Sequence, residues 1–348
     1  MATKSAPTPT PEAPSRRVSI LRITFATVVI LVFATSLLGL FISGPVVVRV
    51  PSVKIEAEPS VERLRSDVAH LCGPLSPRDY QHPENLSKTA SWIFSEFHDA
   101  ELRTVMQTYA VEGRVFHNVI GTVSGNDPSR GALVIGAHYD AFMEHPGADD
   151  NASGVAVLLE LVRTLPDATP RRDWHFVAFS TEEPPYFGTD HMGSAHYAHS
   201  LRERDVKVDL MIALDGVGRF SDEKNSQNFP VPGIGFLYPS AGNFVAVVGN
   251  LNSGTSIRRV KSGIMSTRSI PVNSFRGPAA VDGVDWSDHA SFWEYGMPGV
   301  LLTDTLFARH GDYHSATDTP DKLDYRRMTQ VVTGLHGVLH PDIRVRNE

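Results

Sequence analysis

The chain has 348 residues, of which 41% are hydrophobic and 20% are charged, so it can bury a sizeable core and is not a disordered protein. Its single cysteine, Cys72, excludes intrachain disulfides, cysteine-built zinc fingers and iron–sulfur clusters. The formal net charge is −7, and an acidic body repels nucleic-acid phosphates, so we expect metal ions or small cationic groups, and no nucleic acid, as partners.

The N-terminal part predicts a membrane anchor. Residues 1–22, rich in Ala, Pro, Ser and Thr, are typical of a disordered tail, and residues 23–48 contain no charged residue. About 20 apolar residues cross the hydrocarbon core of a bilayer, so residues 23–48 can span it. A buried helix and a cleaved signal peptide are the alternatives, but the apolar stretch is long for a signal peptide and no clear small-x-small cleavage site follows it. Basic residues precede the span, which predicts a cytoplasmic N-terminus and an extracytoplasmic body.

After a predicted tether over residues 49–60, the pattern over residues 61–348 is typical of one α/β domain. Helical periodicity and short β-rich runs predict helices at 61–71, 85–100, 153–165 and 325–339, and strands at 115–123, 132–137, 174–180, 208–215 and 299–303. Short apolar strands that alternate with helices indicate a mixed, mostly parallel central sheet flanked by helices. The Pro- and Gly-rich stretch 219–242 predicts a long loop or insertion.

Polar residues follow the predicted strands, at the sheet edge where α/β proteins form their sites. They are His138-Tyr139-Asp140, the loop 147–154, Glu182-Glu183, Asp215-Gly216 and, further on, Asp312-Tyr313-His314. Each has an ordinary structural alternative, such as a hydrogen-bonded histidine, a helix N-cap or a turn. Together, two imidazoles and three carboxylates form a ligand set for two divalent ions that share one carboxylate. Asp140 can reach the second imidazole nitrogen of His138 and fix its tautomer.

These motifs carry a family resemblance. The order HYD, GADDNASG, TEE, LDG and YH resembles the zinc metallopeptidase family of aminopeptidase Y and the secreted bacterial leucine aminopeptidases. Glutamate carboxypeptidase, the transferrin receptor and glutaminyl cyclase share that fold. The resemblance covers about residues 61–339 and implies a single zinc-exopeptidase domain with two zinc ions.

The resemblance also implies a role for each site residue. The implied metal ligands are His138, Asp150, Glu183, Asp215 and His314. Asp150 would bridge the two ions, and its neighbour Asp149 is the alternative for that role. Glu182 would be the general base, and Tyr313 would donate its hydroxyl to the developing oxyanion. Asp140, which can fix the tautomer of His138, is counted with these catalytic residues. His289, within a Ser-Asp-His stretch that resembles a site-wall motif, is not assigned as a ligand.

We therefore predict a membrane-anchored dizinc aminopeptidase that acts on peptides with a free N-terminus. A glutaminyl-peptide cyclotransferase with one zinc ion and a non-catalytic, receptor-like binding module are the alternatives. The DNASG stretch and Tyr313 before His314 favour the peptidase over the cyclase, and the complete ligand set disfavours the binding module. Pro184-Pro185-Tyr186-Phe187 and the 219–242 stretch depart from the simplest family pattern. The sequence leaves open the side-chain preference, the oligomeric state and the choice among zinc, cobalt and manganese.

Overall fold

The structure is a computed structural model that describes residues 1, 16–44 and 50–343, with side chains from Thr24 onward. The described chain forms two units, one ending at Phe41 and the other beginning at Ile42. The first unit holds helix α1 (Arg16–Ile42) as far as Phe41, and the segment Thr24–Ile42 is strongly apolar and almost entirely exposed. By length and composition α1 can cross a membrane, and a signal sequence has the same properties. Residues 45–48 of the predicted anchor and 2–15 of the predicted tail lie outside the described residues.

The second unit is an α/β domain built around one sheet. Its helices are α2 (Val61–Cys72), α3 (Pro83–Asp99), α4 (Gly154–Arg163), α5 (Gly193–Glu203), α6 (Gly254–Thr267), α7 (His289–Glu294) and α8 (Tyr325–Leu339). Its strands are β1 (Arg103–Val111), β2 (Arg114–Val123), β3 (Ala132–His138), β4 (Trp174–Phe179), β5 (Val208–Leu214), β6 (Val245–Gly249), β7 (Val272–Arg276) and β8 (Gly299–Thr303).

The eight strands lie in the order β1-β2-β4-β3-β5-β8-β6-β7. Strands β4, β3, β5 and β8 pair in parallel, as do β6 and β7. The pairs β1–β2, β2–β4 and β6–β8 are antiparallel. The predicted fold class, a mixed α/β sheet with helices on both faces, is confirmed. Because β3, β4 and β5 are parallel neighbours, the residues that follow them meet at one edge of the sheet.

Both faces of the sheet are buried. Alternate residues of β3 point to opposite sides, so Leu133 and Ile135 pack with α2, α3, α4, α6 and α8, whereas Val134 packs with α5 and α7. All seven residues of β3 are buried, which explains why its sequence is an uninterrupted apolar run up to His138. The central strands are therefore rigidly held up to their carboxyl ends, where the polar residues begin.

The helices form where apolar residues recur every three or four positions. In α2 these are Leu64, Val68 and Leu71, all fully buried, and the Ser60 hydroxyl caps the helix by accepting the Arg63 N–H. Helix α8 has the bounds that its periodicity predicts, and Asp324 caps its N-terminus. In the predicted loop 219–242, the described structure is irregular apart from one short 3₁₀ turn, Ile234–Leu237.

Six elements were not predicted: strands β1, β6 and β7, and helices α5, α6 and α7. Strand β1 lies at the sheet edge, and its sequence RTVMQTYAV is half-exposed and polar enough to hide the strand pattern. Helix α6 carries Gly, Ser and Thr along its length, which weakens the helical signal. Packing against the sheet, rather than local propensity, determines these elements.

Helices α6 and α8 pack closely where glycines, which have no side chain, lie at their contact. This contact leads to a prediction about stability. A Cβ on Gly337 would collide with the carbonyl oxygen of Gly263, whereas one on Gly334 would meet only the end of Ile264, at 3.2 Å. We expect Gly337→Ala to lower the free energy of unfolding by about 1–3 kcal/mol through overpacking. Gly334→Ala, the matched control in the same helix, should be close to neutral because alanine favours a helix. Urea unfolding of the full chain, followed by circular dichroism, measures both. Equal stability of the two variants would contradict this account of the contact.

Candidate active site

The carboxyl ends of three neighbouring parallel strands bring most of the predicted site residues together. His138 is the last residue of β3, Glu182 and Glu183 follow β4, and Asp215 follows β5. Asp150 comes from the turn Ala148–Ser153 that leads into α4, and His314 comes from the loop after β8. The acidic residues and His138 are buried, and His314 is partly exposed.

Asp150 lies between two groups of ligand-type atoms. Its Oδ1 is 3.3 Å from His138 Nε2, and its Oδ2 is 3.1 Å from His314 Nε2. The first group comprises His138, Asp150 and Asp215, and the second comprises Asp150, Glu183 and His314. Within each group the nearest ligand atoms lie within 4.8 Å of one another. One carboxylate is thus shared by both groups, one oxygen toward each.

The donor atoms fit a bound metal ion. Among the described residues, four buried atoms of the two groups have no hydrogen-bond partner: both ring nitrogens of His138, Oδ1 of Asp215 and Oε1 of Glu183. An unsatisfied buried polar group costs about 1–3 kcal/mol, so such atoms need a partner. Imidazole nitrogen and carboxylate oxygen are the ligands that zinc accepts. The residues present therefore fit zinc.

The electrostatics also favour a bound cation. Burial, and then the charge of Asp150, raises the pKa of Glu183 to about 8. Burial likewise raises the pKa of Glu182 well above its usual value. Burial alone would raise the pKa of Asp150 too, but the imidazoles of His138 and His314 lower it. Buried carboxylates at this density require positive charge to stay ionised, and a divalent ion supplies it.

Asp140 holds the glutamate pair in place. Its Oδ1 accepts the backbone N–H of Glu182 at 3.2 Å, and its Oδ2 accepts that of Glu183 at 3.0 Å. The same Oδ1 lies 3.6 Å from Nδ1 of His138, beyond hydrogen-bond distance. The carboxylate of Asp140 thus ties the end of β3 to the turn after β4.

Asp149, the alternative bridging residue, faces other partners. Its Oδ1 accepts the N–H of Gly218 at 2.9 Å, and its Oδ2 lies 3.0 Å from Nε2 of His310. Asp149 belongs to a separate acidic group with Asp304 and His310 and to neither group that contains Asp150. Both oxygens of Asp149 are therefore occupied away from His138 and His314.

Three supporting residues were missed in the sequence. Asp318 accepts the backbone N–H of Asp149 at 3.0 Å and that of Asp150 at 3.1 Å. Asn151 donates to the carbonyl of Leu214 at 2.8 Å and so joins the turn to the end of β5. Buried Arg78 donates to the carbonyls of Tyr139 and Gly147, at the two ends of the segment that joins β3 to this turn. Asn151 stands in the DNASG stretch, whereas no local signal marks Asp318 or Arg78, because their partners are distant in sequence.

Aromatic stacking fixes the orientation of His314. The Phe142 ring stacks on one side of its imidazole, with centroids 4.1 Å apart and planes at 2°, and the Tyr313 ring stacks at 3.9 Å and 18°. Burial, reinforced by the charge of Asp150, raises the pKa of the Tyr313 hydroxyl far above its usual value, so it stays protonated. His289, in the predicted site wall, is fully buried and its Nε2 lies 2.8 Å from the carbonyl of Val284.

A large apolar cavity adjoins the two groups. It has an empty volume of about 840 Å³, which includes open solvent, and Asp215 and Tyr313 lie in its wall. Its other walls come from β6, β7 and β8, from the segments 282–286 and 305–308, and from the irregular segment 219–242, here called the cap. Besides Tyr313, the aromatic side chains that line it are Phe229, Tyr238, Phe244, Phe275, Trp286 and Phe307. An apolar cavity beside a cluster of polar groups is the usual form of a small-ligand site.

The fold and this site define a metal-dependent hydrolase of the α/β exopeptidase type. The profile of peptidase family M28 matches residues 118–338, and the chain belongs to that family. The family resemblance and the enzyme class predicted from the sequence, a metallo-exopeptidase, are thereby confirmed.

Comparison with individual proteins agrees with the family. The chain is 38% identical over 328 residues to the uncharacterized protein YfbL of Escherichia coli, across 92% of this chain and 98% of YfbL. It is 25% identical over 308 residues to a probable leucine aminopeptidase of Trichophyton verrucosum, across 80% of this chain and 71% of the relative.

Two solved structures share the fold. The zinc aminopeptidase BSAP of Bacillus subtilis superposes with a TM-score of 0.67 at 15% identity, over 84% of this chain and 98% of BSAP. A glutaminyl cyclase of Fimbriiglobus ruber superposes with a TM-score of 0.60 at 22% identity, over 83% of this chain and 97% of the cyclase. The fold is therefore common to peptidases and cyclases, and the site residues must separate the two activities.

The position of Asp318 gives a prediction about metal affinity. Asp318→Ala removes the acceptor of two backbone N–H groups around Asp150, so we expect zinc to bind about 10–100-fold more weakly. The control is Asp321→Ala, three residues away and exposed. Competition for zinc with a chromophoric chelator measures both affinities, and circular dichroism checks that both variants fold. Unchanged affinity in Asp318→Ala would refute the positioning role.

Proposed function

We propose that this protein is a membrane-anchored dizinc aminopeptidase that removes N-terminal residues from peptides. The observation that carries the proposal is the position of Asp150, one oxygen toward His138 and the other toward His314. Membership of peptidase family M28 and similarity to a probable leucine aminopeptidase support the reaction class.

In this proposal each group of ligand atoms would hold one zinc ion. His138 and Asp215 would hold the first ion, Glu183 and His314 would hold the second, and Asp150 would contribute one oxygen to each. When bound, the ions would supply an acidified water molecule and a polarised scissile carbonyl. The residues of the chain supply the ligands, the proton transfers and the substrate pocket.

Glu182 is the proposed general base. Its Oε2 lies 3.8 Å from Nε2 of His138, and its backbone is held by Asp140. Glu182 belongs to neither group that shares Asp150, but it forms a third group of ligand-type atoms with His138 and Glu183, so its carboxylate lies beside the proposed ligands. From there it takes the proton of the attacking water and passes it to the leaving amine. Proton transfer of this kind contributes about 10²–10⁴-fold to a rate.

Tyr313 is the proposed oxyanion donor. Its ring stacks on His314, and it lines the same cavity as Asp215, so Tyr313 borders the two groups of ligand-type atoms. A hydroxyl that stays protonated can donate to the tetrahedral oxyanion, and one such donor is worth about 3–4 kcal/mol.

The surroundings favour cleavage at the N-terminus. The free α-amine of a peptide is a cation that the buried carboxylates attract, and an internal peptide bond offers no such amine. The side chain of the first residue would enter the apolar cavity, whose walls carry seven aromatic rings. We therefore expect a preference for a large apolar first residue.

The anchor and the domain boundaries belong to the same proposal. Helix α1 supplies an apolar segment, Thr24–Ile42, long enough to span a bilayer, and the basic residues before it favour a cytoplasmic N-terminus. The described tether residues, 50–60, form neither helix nor strand. Residues 61–348 are the proposed catalytic domain, outside the cytoplasm.

The general base gives the sharpest test of the reaction. We expect Glu182→Gln to lower kcat by about 10²–10⁴-fold, because the amide cannot accept the proton, while zinc content stays unchanged. Glu144→Gln is the matched control, since the Glu144 side chain is 79% exposed. Purified full chains are incubated with a peptide that begins with Phe, its N-acetylated form and a peptide that begins with Gln, and mass spectrometry identifies the products.

Stepwise loss of residues from the free peptide alone, abolished by a chelator, is the expected result. Full activity of the Glu182→Gln variant would remove Glu182 as the base. Loss of ammonia from the Gln peptide without hydrolysis would make the protein a glutaminyl cyclase. No product from any peptide, with zinc bound, would favour the binding module.

A further inference from the structure

We propose that a second pocket, on the side of the sheet that α5 covers, binds a phosphate group. Its polar lining residues are Arg103, Thr122, His175, Tyr197 and Arg204, and it is here called the arginine pocket. It has an empty volume of about 540 Å³, which includes open solvent, and small-ligand pockets measure about 300–1,000 Å³. This inference does not depend on the proposed peptidase reaction.

The pairing of three strands aligns the floor of the arginine pocket. Arg103 of β1 is opposite Thr122 of β2, and Thr122 is in turn opposite His175 of β4. Directly opposite residues of antiparallel strands project to the same face of a sheet, so these three side chains form one row. Two residues further along β1 and β2, Val105 and Ile120 are also paired and supply an apolar wall. The register of the sheet therefore builds a polar row beside an apolar one.

Two arginines give the pocket a positive charge. Among the described residues, no carboxylate forms an ion pair with Arg103 or Arg204, and no carboxylate lines the pocket. The guanidinium of Arg204 donates only to Ser200, one turn earlier in the chain, and so keeps donors for a ligand. Guanidinium groups bind phosphate through paired hydrogen bonds, and two of them match the charge of about −1.5 to −2 on a phosphate monoester.

The buried pair His175 and Tyr197 supplies a further donor. Nδ1 of His175 lies 2.7 Å from the hydroxyl of Tyr197. Burial lowers the pKa of His175 to about 4, so its imidazole is uncharged near pH 7; the nearby arginines act in the same direction, and the charge of Asp173 opposes them. A neutral imidazole and a hydroxyl carry two polar hydrogens, and the bond between them uses one. One donor of the pair therefore remains for a ligand, whichever atom donates.

The hydroxyl of Thr122 completes the set of donors. Thr122 is 7% exposed, and none of the described residues forms a hydrogen bond with its hydroxyl. A buried polar group normally has a partner, and a ligand oxygen in the pocket would provide one. Two guanidinium groups, one hydroxyl and the donor of the His175–Tyr197 pair thus line one pocket.

The arginine pocket is separate from the proposed zinc site. His175 is the second residue of β4, whereas Glu182 follows the end of that strand. Seven residues of extended chain cover about 23 Å, so the pocket and the zinc site lie toward opposite ends of β4. A phosphate group in this pocket would therefore occupy a site distinct from the metal ligands.

The test measures the binding of radiolabelled inorganic phosphate to the zinc-loaded full chain by equilibrium dialysis. The variants Arg103→Gln and Arg204→Gln each remove one guanidinium group. Arg202→Gln is the matched control, because Arg202 is exposed, lies in α5 and does not line the pocket. Phosphate bound to zinc counts equally in all these proteins, since none of the substitutions touches a proposed ligand, and circular dichroism checks that each variant folds.

We expect one equivalent of phosphate to bind about 10–100-fold more weakly in Arg103→Gln and in Arg204→Gln, and to bind unchanged in Arg202→Gln. Equal binding by the unaltered chain and all three variants would overturn the inference. Neither result depends on peptidase activity, so failure here is distinct from failure of the proposed reaction.

Competition for that equivalent identifies the source of the phosphate group. Displacement by glycerol 3-phosphate at a lower concentration than by unlabelled phosphate would support the inference with a phosphate ester as the ligand. Displacement by unlabelled phosphate alone would support it with the free ion. Displacement by acetate as effective as that by phosphate would overturn the assignment to phosphate, because the pocket would then recognise a carboxylate.

Discussion

The carboxylate of Asp150, held between two imidazoles, is the interaction on which the rest of the site depends. A side chain that presents one oxygen to each of two groups can occupy only a narrow range of orientations. The backbone that carries Asp150 is therefore held by several hydrogen bonds. Asp318 accepts the N–H groups of Asp149 and Asp150, and Asn151 ties the same turn to the end of β5. Asp318 and Asn151 thus fix the backbone that carries Asp150, and supporting contacts of this kind determine how well a metal site is organised.

The sheet provides the second constraint. Three parallel strands, β4, β3 and β5, end at one edge of the sheet. The order of the strands, and not closeness in sequence, brings together the residues at their ends: Glu182, Glu183, His138 and Asp215. Beyond β8, the sheet continues into β6 and β7, and the cap covers that part of the structure. The cavity between the cap and the sheet would give the proposed enzyme its preference for the side chain of the first substrate residue. The cap contributes Phe229 and Tyr238 to the wall of that cavity.

Much of the fold could be predicted because periodicity is a local signal. The buried run of β3 and the capped, amphipathic α8 have almost the predicted bounds. Strand β1 and helix α6 could not be predicted, because polar residues interrupt their apolar pattern and their packing partners come from the rest of the fold.

In the site, too, local signals could be predicted and contacts between distant residues could not. Ligand-type residues stand in short motifs, and the structure brings them together, whereas Asp318 is distant from its partners and carries no motif. The contact of Asp140 with the backbone of Glu182 and Glu183, rather than with His138, also depends on geometry that no spacing specifies.

The central claim is that Asp150 bridges two zinc ions, and anomalous X-ray diffraction at the zinc edge from crystals of the zinc-loaded protein tests it most directly. The account predicts two anomalous peaks about 3.5–4 Å apart. One should lie about 2.0–2.2 Å from Nε2 of His138 and from one oxygen of Asp150, and the other at the same distances from Nε2 of His314 and the second oxygen. A single peak, or two peaks that leave Asp150 uncoordinated, would contradict the account.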